Sequence, residues 1–137
     1  MTRFDAETPS ERRKLFADAV SAHRTRASDF LTIQVDAAEE PELEETEVDD
    51  PTPPWLQFFQ QTVNVDCTDA ELDRLKQLVG DYPEFRIDEL ETPEDAEGTN
   101  VRITARADPN RLADFFERTF QDVYGYGEEY RVWVVAV

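Results

Sequence analysis

The sequence contains almost no cysteine, histidine or lysine, and these shortages exclude several kinds of protein. Among its 137 residues there is one cysteine, Cys67, and one histidine, His23. A single cysteine cannot form an internal disulfide, and one cysteine with one histidine cannot close a structural zinc site, which needs four ligands. We therefore expect no disulfide, no metal centre and no cofactor.

Long hydrophobic runs are missing as well. No apolar stretch approaches the ~18 residues that cross a bilayer, and no secretory signal peptide precedes the first predicted helix. We expect a cytoplasmic protein without a membrane partner. A chain of this length buries roughly two-thirds of the surface that it exposes when unfolded, which is enough for one modest core.

Acidic side chains are the most abundant feature. Asp and Glu number 32 against 14 Lys and Arg, so the net charge is −18, and Lys14 and Lys76 are the only lysines. This composition resembles that of proteins from extreme halophiles, the haloarchaea. The resemblance implies folding that depends on salt, because at ~1 M salt the screening length is only about 3 Å and self-repulsion is suppressed. A DNA mimic, a metal sink or a docking surface for basic partners is the alternative, but the charge is spread over the whole length.

The pattern divides the chain into three segments: 1–35, 36–54 and 55–137. Thr8, Pro9 and Glu11 are typical of a helix start, and apolar residues then recur at spacings of three and four. The first segment is thus predicted to be an amphipathic helix with an extension at 30–35, either a last helical turn or a short strand. Residues 36–54 are acidic and rich in proline, which is typical of a solvated linker.

The third segment has the element order β-α-β-β-α-β. We predict strands over 55–65, around Phe85, over 101–107 and over 130–137, with helices that begin at Thr68 and Asp108. This order resembles the ferredoxin-like fold, which implies an α+β domain with a four-stranded antiparallel sheet and both helices on one face. The resemblance rests on element order, so it carries no function with it.

One face of that sheet is expected to lie open. Strand alternation turns Phe59, Val63 and Val65 towards the helices and polar side chains towards the open face. The candidate ligand-binding residues on the open face are Arg86, Arg102, Arg106, Asn64 and Thr104. The three arginines either recognise an anion or pair with the surrounding carboxylates.

The last predicted strand is apolar on both sides, so something is expected to cover part of the open face. Either the N-terminal helix or a second subunit could do so. The candidate interface residues are Leu15, Phe16, Val20 and Trp133. The leading hypothesis is a non-catalytic interaction or regulatory module that forms a homodimer, binding an unknown protein partner or a small anion. The alternative is a domain, or an enzyme, that binds an anionic small molecule on the open face.

Nucleic-acid binding and catalysis find little support in the sequence. Residues 101–107 read Val-Arg-Ile-Thr-Ala-Arg-Ala and lack the aromatics on which RNA-recognition domains stack bases. Cys67 precedes a predicted helix start, where its thiol could become reactive, but His23 is the only histidine and lies in another element. We predict a small buried thiol, no catalytic residue and no metal ligand.

Overall fold

The computed structural model describes residues 4–27, 29–39, 53–92 and 98–136. It contains three α-helices, a short π-helical turn and seven strands. The helices are α1 (Pro9–Arg26), α2 (Asp69–Gly80) and α3 (Pro109–Arg118), which continues into the π-helical turn Thr119–Val123. The strands are β1 (Phe4–Ala6), β2 (Leu31–Val35), β3 (Trp55–Phe59), β4 (Thr62–Cys67), β5 (Phe85–Glu91), β6 (Thr99–Ala105) and β7 (Val132–Ala136).

All seven strands form one antiparallel sheet in the order β1-β7-β2-β3-β4-β6-β5. Alternate residues of each central strand are buried, as Leu31, Ile33 and Val35 are on β2. The helices pack on this buried face. Helix α1 contacts α3 through Phe16, whose ring lies 6.0 Å from that of Phe116. The result is one layer of helices on one face of the sheet and a single hydrophobic core between them.

The α+β class is confirmed, but the four-stranded ferredoxin-like sheet is wrong. Strands β4, β6 and β5 lie side by side, as the first three strands of that arrangement would. The last strand, β7, does not lie beside β4, because β2 and β3 are inserted between them and β1 is added outside β7. Segment 1–35 therefore contributes two strands to the same sheet.

The predicted strand over 55–65 is two strands joined by a tight turn at Gln60 and Gln61. Phe59 pairs with Thr62, and Gln60 has a φ of 55°, a left-handed conformation in which glycine or asparagine is usual. The two-residue turn inverts the alternation, so Leu56 and Phe58 face the core while Phe59 does not. The prediction that Phe59 faces the helices is wrong for this reason.

The predicted helix starts are confirmed. Thr8 accepts a hydrogen bond from the backbone of Glu11, and Thr68 forms a reciprocal capping box with Glu71. Asp108 caps α3 by accepting a bond from the backbone N–H of Arg111 at 2.8 Å. These side chains satisfy amide groups that the first helical turn leaves without partners.

A buried ion pair joins α1 to α3. Arg12 is completely buried and its Nε donates to both carboxylate oxygens of Glu117, at 2.9 and 3.0 Å. Its two other nitrogens donate to the backbone carbonyls of Glu7, Tyr130 and Glu128. The hydroxyl of Tyr130 donates to Glu117 at 2.8 Å, and the Arg12 guanidinium lies 3.8 Å from the centre of the Tyr130 ring. Both charges are thus compensated and hydrogen-bonded, as buried charges must be.

Candidate functional site: the open face of the sheet

The face of the sheet opposite the helices carries an uncharged region over β7, β2 and β3. Strand register brings its members together: Gln34 pairs with both Trp133 and Trp55, and Thr32 pairs with Gln57. We call this region the neutral patch. Its members are Thr32, Gln34, Trp55, Gln57, Phe59, Trp133 and Val135.

All members of the neutral patch are half-buried, and none is charged, although 34% of the residues in the chain are. Both tryptophans of the sequence, Trp55 and Trp133, belong to it. Phe30 extends it at one end, where it is 48% exposed and its ring lies 5.3 Å from that of Phe59. The patch therefore presents large aromatic surfaces to solvent in an otherwise strongly acidic chain.

A hydrogen bond fixes the orientation of one of the tryptophans. Trp133 Nε1 donates to Asp36 Oδ2 at 2.7 Å. This bond, with a second from the backbone of Ala38, lowers the pKa of Asp36, because both donors favour the ionised carboxylate. The indole ring is held against the sheet and does not swing freely into solvent.

The other half of the open face, over β4, β6 and β5, is charged and largely paired. Arg86 lies 2.7 Å from Asp88, and Arg102 lies 3.1 Å from Glu89. The Thr104 hydroxyl also donates to Asp88. Two of the three candidate arginines thus have carboxylate partners. The sequence left open whether the arginines recognise an anion or pair with carboxylates, and these two arginines pair with carboxylates.

The remaining candidates behave differently. Asn64 lies between Gln57 and Arg102 in the register, and its Oδ1 is buried without a partner among the described residues. Arg106 lies beyond the end of β6 and, with Thr104, lines a cavity of about 510 Å³. Register therefore places Asn64 beside Arg102 and Thr104 beside Arg86, but of the five candidate binding residues only Thr104 and Arg106 line one cavity.

The candidate interface residues lie on opposite sides of the sheet. Phe16 and Val20 are completely buried in the core of their own chain, and Leu15 packs partly buried against it. Helix α1 therefore packs on its own chain, but against α3 on the buried face of the sheet, so the alternative in which it covers the open face is wrong. Trp133 lies in the neutral patch on the opposite side of the sheet.

Neither Cys67 nor His23 is placed for nucleophilic catalysis. Cys67 is buried, and burial, together with the negative charge of Glu71, raises the pKa of its thiol to about 12. His23 is buried against the ring of Phe58, and burial, aided by the charge of Arg24, lowers its pKa. Both side chains therefore stay neutral near pH 7, where a thiolate nucleophile or a protonated histidine would carry charge.

Within 4–27, 29–39, 53–92 and 98–136, no group of three or more His, Cys, Asp or Glu side chains is arranged to hold a metal ion. In the same ranges, no helix is both long and apolar enough to cross a membrane. The arrangement of the open face is suited to binding, since it offers aromatic surface and paired charges.

Sequence reasoning missed several residues that the structure places at these sites. Gln60 and Gln61 read as part of a strand because they lack the glycine or asparagine of a usual turn. Trp55 begins the predicted strand over 55–65 and Arg24 lies near the end of α1, and neither was among the candidate binding residues. A signal existed for Arg12: its spacing of four from Phe16 puts it on the buried stripe of α1.

Comparison with known proteins assigns the chain to a family. A search of curated proteins and a search of solved structures each find no match. The family described as "Family of unknown function (DUF7975)" matches residues 1–137, the whole of the sequence given, and the chain belongs to that family.

Proposed function

We propose that the protein is a non-catalytic interaction module that pairs with a second copy of itself through the neutral patch. The observation that carries this proposal is the absence of charge over three adjacent strands of a chain whose net charge is −18. Two tryptophans and a phenylalanine provide the contact surface. Interfaces have this composition: aromatic residues are enriched at their centre and charged residues are depleted there.

Charge favours a second copy over another kind of occupant. Two acidic chains repel each other wherever their carboxylates meet, and the neutral patch is a surface where two copies meet without that repulsion. A basic partner would be drawn to the carboxylates outside the patch, of which Asp36 touches the edge of the patch through Trp133. A two-fold arrangement places the same uncharged patch on both sides of the contact.

The borders of the patch fit the same arrangement. Arg102 and Glu89 are paired within one chain, as are Arg131 and Asp5 at the other side of the sheet. Arg131 also pairs with Glu7, and Asp36 accepts a hydrogen bond from Trp133, so each of these border charges has a partner within its own chain. An unpaired charge buried at an interface would cost several kcal/mol, and the pairing avoids that cost.

The test introduces charge without changing shape. In the double variant Gln34→Glu/Gln57→Glu, two half-buried amides of the patch become carboxylates. The control is Gln77→Glu, the same amide-to-carboxylate change made once on the exposed surface of α2. Sedimentation velocity at one fixed KCl concentration gives the dimer dissociation constant of each protein.

We expect the wild type and Gln77→Glu to form dimers with the same dissociation constant. The double variant should dissociate at least about tenfold more readily, because like charges then face each other across the contact. Circular dichroism verifies that all three proteins are folded. A wild type that stays monomeric at every concentration would overturn the proposal, and so would a double variant that dimerises as well as Gln77→Glu.

A further inference from the structure

Three parts of the chain meet at one end of the sheet, around the cavity of about 510 Å³. They are the last turn of α1, the turn between β3 and β4, and the end of β6. The residues that line the cavity are Arg24, Gln60, Gln61, Thr62, Thr104 and Arg106. Its lining contains two guanidinium groups and no carboxylate.

One backbone hydrogen bond and one side-chain hydrogen bond link the three parts. The N–H of Ala105 donates to the carbonyl of Gln61 at 2.8 Å, which fixes the turn against β6. Arg24 Nη2 donates to the carbonyl of Ala107 at 2.7 Å, which fixes the end of α1 to the segment after β6. The walls of the cavity are therefore formed before any ligand arrives, which reduces the entropy lost on binding.

Arginines on β5, β6 and α3, and the one that precedes β7, are paired with carboxylates, whereas Arg24 and Arg106, like Arg13 and Arg26 of α1, form no ion pair with a described residue. Arg86, Arg102, Arg111, Arg118 and Arg131 each form an ion pair with a carboxylate. Arg106 forms no hydrogen bond or ion pair with any described residue, and the one hydrogen bond of Arg24 among the described residues goes to the neutral carbonyl of Ala107. Two guanidinium groups without carboxylate partners thus share one cavity in a chain with 32 acidic residues.

We infer that this cavity binds a small organic phosphate through Arg24 and Arg106. The guanidinium fork matches a phosphate group, since two parallel N–H bonds can reach two of its oxygens. The amides of Gln60 and Gln61 and the hydroxyl of Thr62 supply neutral donors for further oxygens. A carboxylate has two acceptor oxygens, which are too few for both arginines and these neutral groups. A phosphate monoester has enough acceptor oxygens for all of them.

The size and the composition of the cavity narrow the class of ligand. Its volume lies within the ~300–1,000 Å³ of typical small-molecule sites, so there is space for an organic group besides the phosphate. No aromatic side chain is among the lining residues, so a nucleobase would find no ring on which to stack. The geometry therefore favours a phosphorylated polyol or sugar over a nucleotide.

Asp88 is an acidic residue that contacts the lining of the cavity through Thr104. Its carboxylate accepts a hydrogen bond from Thr104 and also pairs with Arg86. This pairing compensates its charge and limits its repulsion of an anion. The site is open to solvent, and its affinity is expected to fall as ionic strength rises.

The test is a calorimetric titration of the full chain with D-ribose 5-phosphate at constant ionic strength. The variants are Arg24→Gln and Arg106→Gln, and the matched control is Arg102→Gln, which removes one positive charge outside the cavity. Loss of either cavity arginine should weaken binding about tenfold or more, the effect of losing a charge-assisted hydrogen bond. The control should change the dissociation constant less than about twofold.

NMR amide shifts provide an independent readout, and we expect them to cluster at Gln60, Gln61 and Thr62. Folded wild-type protein that binds no ribose 5-phosphate would overturn the inference. Equal losses in Arg106→Gln and Arg102→Gln would do so too, because they would indicate attraction by net charge alone. Tighter binding of adenosine monophosphate than of ribose 5-phosphate would overturn the assigned class of ligand.

Discussion

Arg12→Met is expected to destabilise the protein strongly although Arg12 touches no proposed binding surface. The side chain is completely buried, and Glu117 is 1% exposed. Without the guanidinium, the Glu117 carboxylate loses the Arg12 Nε–H that both of its oxygens share and its compensating charge, while Tyr130 remains as a donor. Removing one partner of a buried ion pair costs about 3–5 kcal/mol.

Three backbone carbonyls lose their donor in the same variant, and these lie in different parts of the chain. Glu7 precedes α1, whereas Glu128 and Tyr130 precede β7. Arg12→Met should therefore cost more than Glu117→Gln, in which Arg12 keeps its three carbonyl acceptors. We expect a loss of about 5 kcal/mol for the first variant and about 3 kcal/mol for the second.

Urea unfolding at fixed KCl, followed by circular dichroism, measures both free energies of unfolding. At roughly 3 °C per kcal/mol for a chain of this size, the melting temperature should fall by about 10–15 °C. Arg86→Met is the control, because its side chain is 72% exposed and its ion pair with Asp88 is worth no more than about 1 kcal/mol. The reasoning is refuted if Arg12→Met costs no more than Arg86→Met.

Three further outcomes are expected. Ala27 ends α1 in a left-handed conformation with φ 51°, so Ala27→Gly should stabilise the protein by about 0.5–1 kcal/mol in urea unfolding, and a loss of stability would contradict this. The thiol of Cys67 should resist an aromatic disulfide reagent at pH 8 in the native protein and react after unfolding. Folding raises the pKa of this thiol from 9.0 to about 12, so its neutral form contributes to the free energy of unfolding below pH 9, and this contribution is lost as the pH rises towards 12. Cys67→Ala should therefore reduce the loss of stability at alkaline pH. Far-UV circular dichroism should show folded protein in molar KCl and loss of structure in dilute buffer, and an unchanged melting curve in both would contradict the halophilic interpretation.

Much of the fold was predictable where local chemistry decides it. The caps at Thr8, Thr68 and Asp108 mark the helix starts because each supplies an oxygen for the free amides of the first turn. The turn at Gln60 was not predictable, since a left-handed glutamine is held there by strand pairing and not by its own preference. Missing it merged β3 with β4 and placed Phe59 on the wrong face.

The sites were harder to predict than the fold because they depend on which strands become neighbours. The neutral patch exists because β2 and β3 lie between β7 and β4, a long-range pairing that no local pattern in the sequence specifies. Likewise, the presence of Arg86, Arg102 and Arg106 did not reveal which of them would meet a carboxylate. Register alone brings Glu89 beside Arg102 and leaves Arg106 past the end of its strand.

Tryptophan fluorescence on dilution tests most directly the claim that the neutral patch pairs two copies. Trp55 and Trp133 are the only tryptophans and both lie on the patch, so their emission reports its burial. As the protein is diluted and its mass falls from about 32 kDa, twice 15.9 kDa, the emission should shift to the red and acrylamide quenching should increase in parallel. Emission and quenching that stay constant while the mass halves, or a mass of 15.9 kDa at every concentration, would contradict the account.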